Sequence, residues 1–391
     1  MDIGKKTFIW AVSGLIVLRI GLMVLAMDNV PFTDMRADGF RPHFTSSYQP
    51  DEPQFYELAK GLIEAKALKL VPNIGAPLVF APFIYFTGAA STNELAKSVF
   101  IFQAFVIFTL AVIVVSLIAR QLFNSRLLAF ASSALFAVYP WLLLAFFKLI
   151  HYKNAIPAFH YQLWIFILSD YLSAFWVYLS FYLLFRNFEN IFKISEIKYK
   201  YLVILAAASG LALLTRVSNF WLILIILVVF IYFKQLKRAI IYGFFLFLVY
   251  LPQLIFNMAA FGAPWIYGYR DKSVGASTSS TPLSHWFDPS NLWRNFQKFS
   301  PDHYFLLFLI AVSFFIIIFF FGYKQLKKTN PVFANIAALW FWSYLIFYGL
   351  FNESLSQLRY FLPAVPIFIF FFVATRVYLS QHQKTTGSAR G

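Results

Sequence analysis

The sequence predicts an all-α bundle of transmembrane helices, about ten of them, and three observations carry that expectation. Of 391 residues, 61% are hydrophobic and only 12% charged, with a mean hydropathy of +0.70. Water-soluble domains carry about 25% charged residues. Apolar runs recur from Phe8 to Val377, so lipid is the solvent along the chain and not at a single anchor. The net charge of +16 stands in short clusters between those runs, which makes the cations topology signals and not a solvated nucleic-acid face. With no cysteine, disulfides, thiolate catalysis and Cys-ligated zinc are excluded.

A span needs about 20 apolar residues, fewer where an end is buried in protein. Ten runs qualify: Phe8 to Met27, Val99 to Ala119, Leu127 to Phe147, Asp170 to Phe185, Tyr201 to Thr215, Ser218 to Phe233, Ile240 to Phe256, Tyr304 to Phe321, Phe333 to Phe351 and Phe361 to Val377. The first is too long for a cleaved signal core and is expected to stay as an anchor. Lys5/Lys6, Arg120/Arg126, Arg186/Lys193/Lys198/Lys200, Lys234/Lys237/Arg238, Lys324/Lys327/Lys328 and Arg376/Lys384 then fall on one side. The positive-inside rule makes that side, with both termini, cytoplasmic, in a multi-pass protein of the plasma (inner) membrane. The stretch Ile74 to Ala90, broken by Pro77 and Pro82, is expected to be re-entrant or interfacial, because a span there would invert every later cluster.

The chain therefore reads as a single transmembrane domain over 1–391, with a first external loop at 28–98 and another at 258–303. Glycines and a Ser/Thr run in the latter read as a cover over a site or as a flexible linker only. Of 16 acids only Asp2, Glu189 and Glu196 fall on the cytoplasmic side. Acids contribute little to orientation, so something else uses carboxylates on the outer face.

The most informative stretch runs from Tyr48 to Ala59 and contains Asp51-Glu52-Pro53. Proline suits the first helical position and biases its predecessor toward extended backbone, so a helix is expected from Pro53 with Asp51 and Glu52 just before it. Phe55, Leu58, Ala59, Leu62 and Ile63 recur at helical spacing against Glu57, Lys60, Glu64 and Lys66, which describes an amphipathic helix along the outer surface. The two carboxylates either serve chemistry at the headgroup boundary or merely cap that helix. Asp170, opening the fourth span, is a second candidate, with an ordinary N-cap role for Ser169 or Asp170 as its alternative.

The fifth and sixth spans are short, so the turn Thr215 to Asn219 should stop below the outer surface, where irregular backbone must line a cavity or be buried. Arg216 would then meet an anion in a cavity or pair with an outer acid. Glu353 and Arg359 stand at the last external boundary, where a guanidinium can hold phosphate through two parallel hydrogen bonds or, with Tyr360, serve as an ordinary interfacial anchor.

In this order, the first-loop Asp51-Glu52 with Tyr56 and its amphipathic helix, the second acid Asp170, the Leu214-Thr215-Arg216 turn, and Arg359-Tyr360 before Pro363 and Pro366 resemble the GT-C glycosyltransferases. The resemblance is to the branch containing protein O-mannosyltransferases and bacterial aminoarabinose transferases. It implies a GT-C-like bundle, a polyprenyl-phosphate sugar donor, an outer-side site and a first-loop acid as the catalytic group. Asp51 takes that role, Glu52 accompanies it, and Asp170 matches the second acid; the soluble outer domain or further spans of many members are not expected in these 391 residues, which leaves the acceptor open.

Transfer of a sugar from a lipid phosphate needs a base for the acceptor proton and cations for the departing phosphate. Asp51, flanked by Glu52 in low-dielectric surroundings, is expected to have a raised pKa. Arg216, Arg359, Lys148, Lys153, Arg270 and Lys272 are candidates for the phosphate, and Tyr56, Tyr360 and Glu353 for substrate contact. One displacement would invert the anomeric centre of the hexosyl or pentosyl group. A retaining route through Asp51 and Asp170 ranks lower, because it needs the acids about 5 Å apart.

No metal is required on this reading, although Asp51, Asp170 and Glu353 offer oxygen ligands suited to Mg or Mn. His43, His151, His160, His285 and His303 show no metal-binding spacing. The acceptor is a lipid, glycan or protein, and nucleic acid is not a partner. The alternatives are a glycan polymerase or ligase and a transporter or flippase for a lipid-linked sugar, against which the lack of internal repeats counts.

Overall fold

A computed structural model describes residues 3–29, 51–70, 72–149, 169–192, 199–266, 290, 305–350 and 358–388. Among these the chain is helical and holds no strand. The elements are α1 (Lys5–Asn29), α2 (Asp51–Ile63), α3 (Gly75–Thr87), α4 (Thr92–Ile101), a π-helical stretch (Phe102–Ile107), α5 (Phe108–Phe123), α6 (Arg126–Leu149), α7 (Asp170–Arg186) and α8 (Phe188–Phe192). There follow α9 (Tyr199–Thr215), a 3-10 turn (Val217–Asn219), α10 (Phe220–Tyr232), α11 (Leu236–Phe261), α12 (Phe305–Thr329), α13 (Pro331–Leu350), a second 3-10 turn (Leu358–Ala364) and α14 (Val365–Ser388).

Each of the ten apolar runs lies largely on helix. Three described helices, Glu94–Phe123, Leu236–Phe261 and Phe361–Gln381, are long and apolar enough to cross a membrane by length and composition. Five shorter apolar ones accompany them, Gly75–Thr87 among them. At about 1.5 Å per residue the 13 residues of α3 span about 20 Å, well short of a hydrocarbon core of about 30 Å.

The chain divides into two compact units. One comprises 1–15, 112–157 and 283–391. In it α12 packs along α14, and α14 also packs on α6. Gly322 makes the first crossing close, because a Cβ there would collide with the backbone of Phe371. Thr375 Oγ1 donates to Ile318 O at 2.9 Å across the same helix pair.

The other unit comprises 16–111 and 158–282. Its centre is α9, packed on α7 and α11, with α2 lying on α3 and α3 on α9. Arg19 of α1 is 1% exposed and donates from Nη1 to Ala104 O at 3.0 Å. Its guanidinium carbon lies 3.0 Å above the centre of the Phe108 ring. The acceptor belongs to the π-helical stretch, whose wide turn departs from the regular ladder as such turns do where a helix must admit another group. A charge inside an apolar helix is stabilised here by a carbonyl and an aromatic face.

Candidate active site

α2 begins at Asp51, two residues before the expected start, which places both acids inside its first turn. Pro53 is its third residue and costs little there, since the first four N–H groups of a helix have no intrahelical partner to lose. Carboxylates in a first turn interact favourably with the helix dipole. The apolar face is the one the spacing describes: Phe55, Leu58 and Ala59 are buried, while Glu57 and Lys60 are exposed. Ile63, assigned to the same face, is 40% exposed. Glu52 lies one turn from Phe55 and Tyr56 on the buried face, 1% exposed, so it is directed into protein and not along a water-facing rim.

Three contacts hold α2 in place. The Tyr56 hydroxyl donates to Ala89 O at 3.0 Å, beyond the far end of α3. Phe55 meets Phe80 of α3 edge to face, with ring centres 6.4 Å apart. Leu58 joins a cluster with Ile74, Leu214, Phe256 and Ala260, bringing the helix against the end of α9 and the last turns of α11.

The start of α3 is tied to the end of α9. The last carbonyls of a helix lack intrahelical donors, and here Asn73 Nδ2 donates to Leu213 O at 3.2 Å. Gly75 follows because no side chain fits: a Cβ there would sit 2.6 Å from Leu214 C and O and from Thr215 N. Ile74 N donates to Gln253 Oε1 at 2.9 Å, Gln253 Nε2 to Asn257 Oδ1 at 2.8 Å, and Asn257 Nδ2 to Pro264 O at 2.9 Å. A chain of amides thus runs from the first loop segment along α11.

Arg216 breaks the helix with extended backbone, φ −146° and ψ 127°. Asn219, buried in the 3-10 turn, secures the break through Nδ2, which lies 2.7 Å from both Ala212 O and Ser173 Oγ. Arg216 Nη1 donates to Asp170 Oδ1 at 2.5 Å. Pairing with an acid is one of the two environments expected for this arginine, and Asp170 supplies that acid. The carboxylate side chain is 4% exposed and the guanidinium side chain 22%, so the arginine still reaches solvent. Ser169 makes no side-chain cap, and Asp170 opens α7 with its carboxylate turned to Arg216. Tyr171, next along, meets Phe108 edge to face at 6.5 Å, which links this end of α7 to the ring under Arg19.

Asp170 and Arg216 are thus in direct contact, and Glu52 and Tyr56 lie on a helix packed against the same turn through α3. The side chains of Asp51, Lys148, Arg359 and Tyr360 lie outside the described residues; Lys148 belongs to the last turn of α6, and Arg359 and Tyr360 to the second 3-10 turn. Lys153, Arg270, Lys272, Glu353, the histidines at 43, 151, 160, 285 and 303 and most of 258–303 also lie outside them. Among the described residues no three His, Asp or Glu side chains gather as a metal site would require. Asn73, Gln253, Asn257 and Asn219 were not singled out from the sequence. Gln253 and Asn257, four apart within an apolar run, are the one signal that would have found two of them.

No protein-family model matches the sequence, and no curated protein matches it. Solved structures do. The oligosaccharyltransferase AglB of Archaeoglobus fulgidus, in complex with an inhibitory peptide and a dolichol-phosphate, is similar with a TM-score of 0.62 at 15% identity, over 99% of this chain and 52% of that one. In its apo form the archaeal enzyme gives 0.59 at 16% identity over the same shares. ArnT from Cupriavidus metallidurans, bound to undecaprenyl phosphate, gives 0.50 at 15% over 93% of this chain and 60% of its own. The chain spans about half the length of the archaeal enzyme. Both are membrane glycosyltransferases of the GT-C superfamily, and the likeness at these identities is one of fold.

Proposed function

From the GT-C membrane fold as premise, we propose that the chain is a membrane-embedded glycosyltransferase that moves a hexosyl or pentosyl group from a polyprenyl-phosphate donor to an acceptor at the outer face. The observation that carries the reading is the fold likeness over 99% of the chain to a structure holding a dolichol-phosphate, with the acid-bearing α2 packed on α3 and its Leu58 clustered with Leu214, two residues before Arg216. The undecaprenyl phosphate in ArnT supports the same donor class.

In the proposed reaction the acceptor oxygen or nitrogen attacks the anomeric carbon as the bond from that carbon to the phosphate oxygen breaks, inverting the centre. Asp51 takes the acceptor proton. The departing phosphate keeps the bonding electrons and is met by cations, of which Arg216 is the best supported. Its guanidinium side chain is 22% exposed and Asp170 helps to fix its plane, and a planar guanidinium suits the geometry of a phosphate. Glu52, on the buried face of α2, anchors its first turn. A second nucleophilic role for Asp170 is disfavoured, because its carboxylate is already engaged and nearly covered.

One oxygen of the Asp170 carboxylate is engaged by the guanidinium, and no step is routed through a metal. The archaeal enzyme has been solved with Zn and sulfate, which is a fact about that enzyme. The peptide acceptor of that enzyme leaves protein, glycan and lipid acceptors equal for this chain.

The test is sugar transfer in membranes by Asp51→Asn, which should be abolished while expression and melting stay at wild-type level, with Glu52→Gln milder. Transfer by Asp51→Asn at near the wild-type rate would remove the catalytic assignment. Mass spectrometry of lipid-linked sugars and surface glycans, with and without the protein, identifies donor and acceptor.

A further inference from the structure

The end of α12 carries a feature that sugar transfer does not use. Phe320, Tyr323, Lys324, Lys327 and Lys328 line a shallow hollow of about 350 Å3. They recur at helical spacing on one face, so the hollow has an apolar end and a cationic end. Above it along α12, Phe314, Ile316, Ile317 and Phe320 are about half exposed, as on a lipid-facing surface.

The lysines are held over rings. Lys324 and Lys328 lie 5.5 and 5.4 Å from the centre of the Tyr378 ring of α14, and Lys327 lies 5.5 Å from that of Tyr323. These rings are themselves fixed. The Tyr323 hydroxyl hydrogen-bonds Asn335 of α13 at 2.7 Å, Phe319 stacks parallel to the Tyr323 ring at 6.0 Å, and Phe321 lies 5.1 Å from Tyr378. The close crossing at Gly322 and the Thr375 bond to Ile318 lock the two helices beneath them.

Three ammonium groups at i, i+3 and i+4 repel one another. Among the described residues no carboxylate ion-pairs with any of them. The helix dipole accounts for Lys327 and Lys328 in the last turn, but its effect fades before Lys324. A shared anion accounts for all three. A free anion would need only the cations, whereas the aromatic floor and the exposed apolar strip leading to it suit a group carried on acyl chains.

We infer that this hollow binds the headgroup of an anionic phospholipid, its phosphate held by Lys324, Lys327 and Lys328 and its acyl chains laid along Phe320 and the apolar strip of α12. The site stands apart from the sugar-transfer reading and does not depend on it.

The experiment is native mass spectrometry of the full chain in detergent, titrated with dioleoylphosphatidylglycerol or dioleoylphosphatidylcholine. One phosphatidylglycerol should be retained in preference to phosphatidylcholine. K324Q/K327Q/K328Q should lose that preference by about fivefold per lysine removed, as expected for a cation near an anionic headgroup. K5Q/K6Q/K200Q, removing three exposed cations elsewhere, should keep it. All six side chains are exposed, so the variants retain the packed core, and melting at the wild-type temperature verifies this. Wild-type retention by the first triple variant, equal loss in the second, or displacement of the lipid by millimolar inorganic phosphate would each overturn the assignment, the last by making the site one for free phosphate.

Discussion

The contact between Asp170 and Arg216 can be isolated by a double-mutant cycle. Arg216→Met removes the charge and keeps most of the side-chain length, leaving a carboxylate with 4% of its surface exposed and no guanidinium. Removing one partner of a fully buried pair costs about 3–5 kcal/mol. The dipole of α7 returns about 0.3–1 kcal/mol to an acid at its first residue. A destabilisation of about 2–4 kcal/mol is therefore expected. Asp170→Asn should cost less, about 1–2 kcal/mol, because the guanidinium it leaves behind is 22% exposed and can turn to water. The double variant has no unpaired charge and should be no worse than Arg216→Met alone, which puts the coupling at about 1 kcal/mol or more. Thermal unfolding of the purified chain in detergent, followed by tryptophan fluorescence, gives all three values under one condition. Costs that add to within about 0.5 kcal/mol would mean that the two groups do not interact in the folded protein, and the description of this site would fall.

Gly75→Ala should destabilise by about 1–3 kcal/mol and lower sugar transfer with it, because the added methyl meets backbone of residues 214 and 215 that cannot rotate away. Gly243→Ala in α11, with nothing within 4 Å of its new Cβ, should be neutral or stabilising by about 0.5–1 kcal/mol, and equal losses at the two glycines would refute the close-approach explanation. Sugar transfer should persist in EDTA; loss on chelation with recovery on adding Mg or Mn would call for a metal at the acids. Cysteines placed in this cysteine-free chain at Asn93 and Asn190 should react with an impermeant thiol reagent in intact cells only at the first position, and the reverse pattern would invert the proposed orientation.

The helices were legible because their signal is local. A long apolar run has one low-energy backbone in lipid, and the runs from Phe8 to Val377 duly fall on helix. The buried face of α2 was legible for the same reason, since Phe55, Leu58 and Ala59 announce it by spacing alone. Where α2 begins was less so: proline marks a first turn without saying which of its residues it is, and Pro53 stands third. The Arg216–Asp170 contact spans 46 positions, and no spacing rule reaches that far. Either partner could be suspected, but choosing between a cavity anion and an acid needed coordinates. Arg19 is a charge within the first apolar run, yet nothing in Phe102 to Phe108 announces a π-helical turn to receive it.

The polar side chains missed in the sequence explain why the helix break at Arg216 can exist at all. Ending α9 at Thr215 in an apolar setting strands its last carbonyls, each costing several kcal/mol if left without a donor in hydrocarbon. Leu213 O is satisfied by Asn73, and Ala212 O by Asn219 as well as by the Arg216 amide. Asn73 in turn comes within reach only because Gly75 lets the start of α3 lie directly on the chain at Leu214. The break therefore depends on the first loop segment, and that segment depends on the break and on Gln253 for its own amide at Ile74. Such mutual dependence holds the acid-bearing α2 and the arginine turn in one register through rigid backbone contacts. The proposed transfer, in which a base and a phosphate-binding cation act on one sugar, would need that kind of register, and independently moving loops would not keep it.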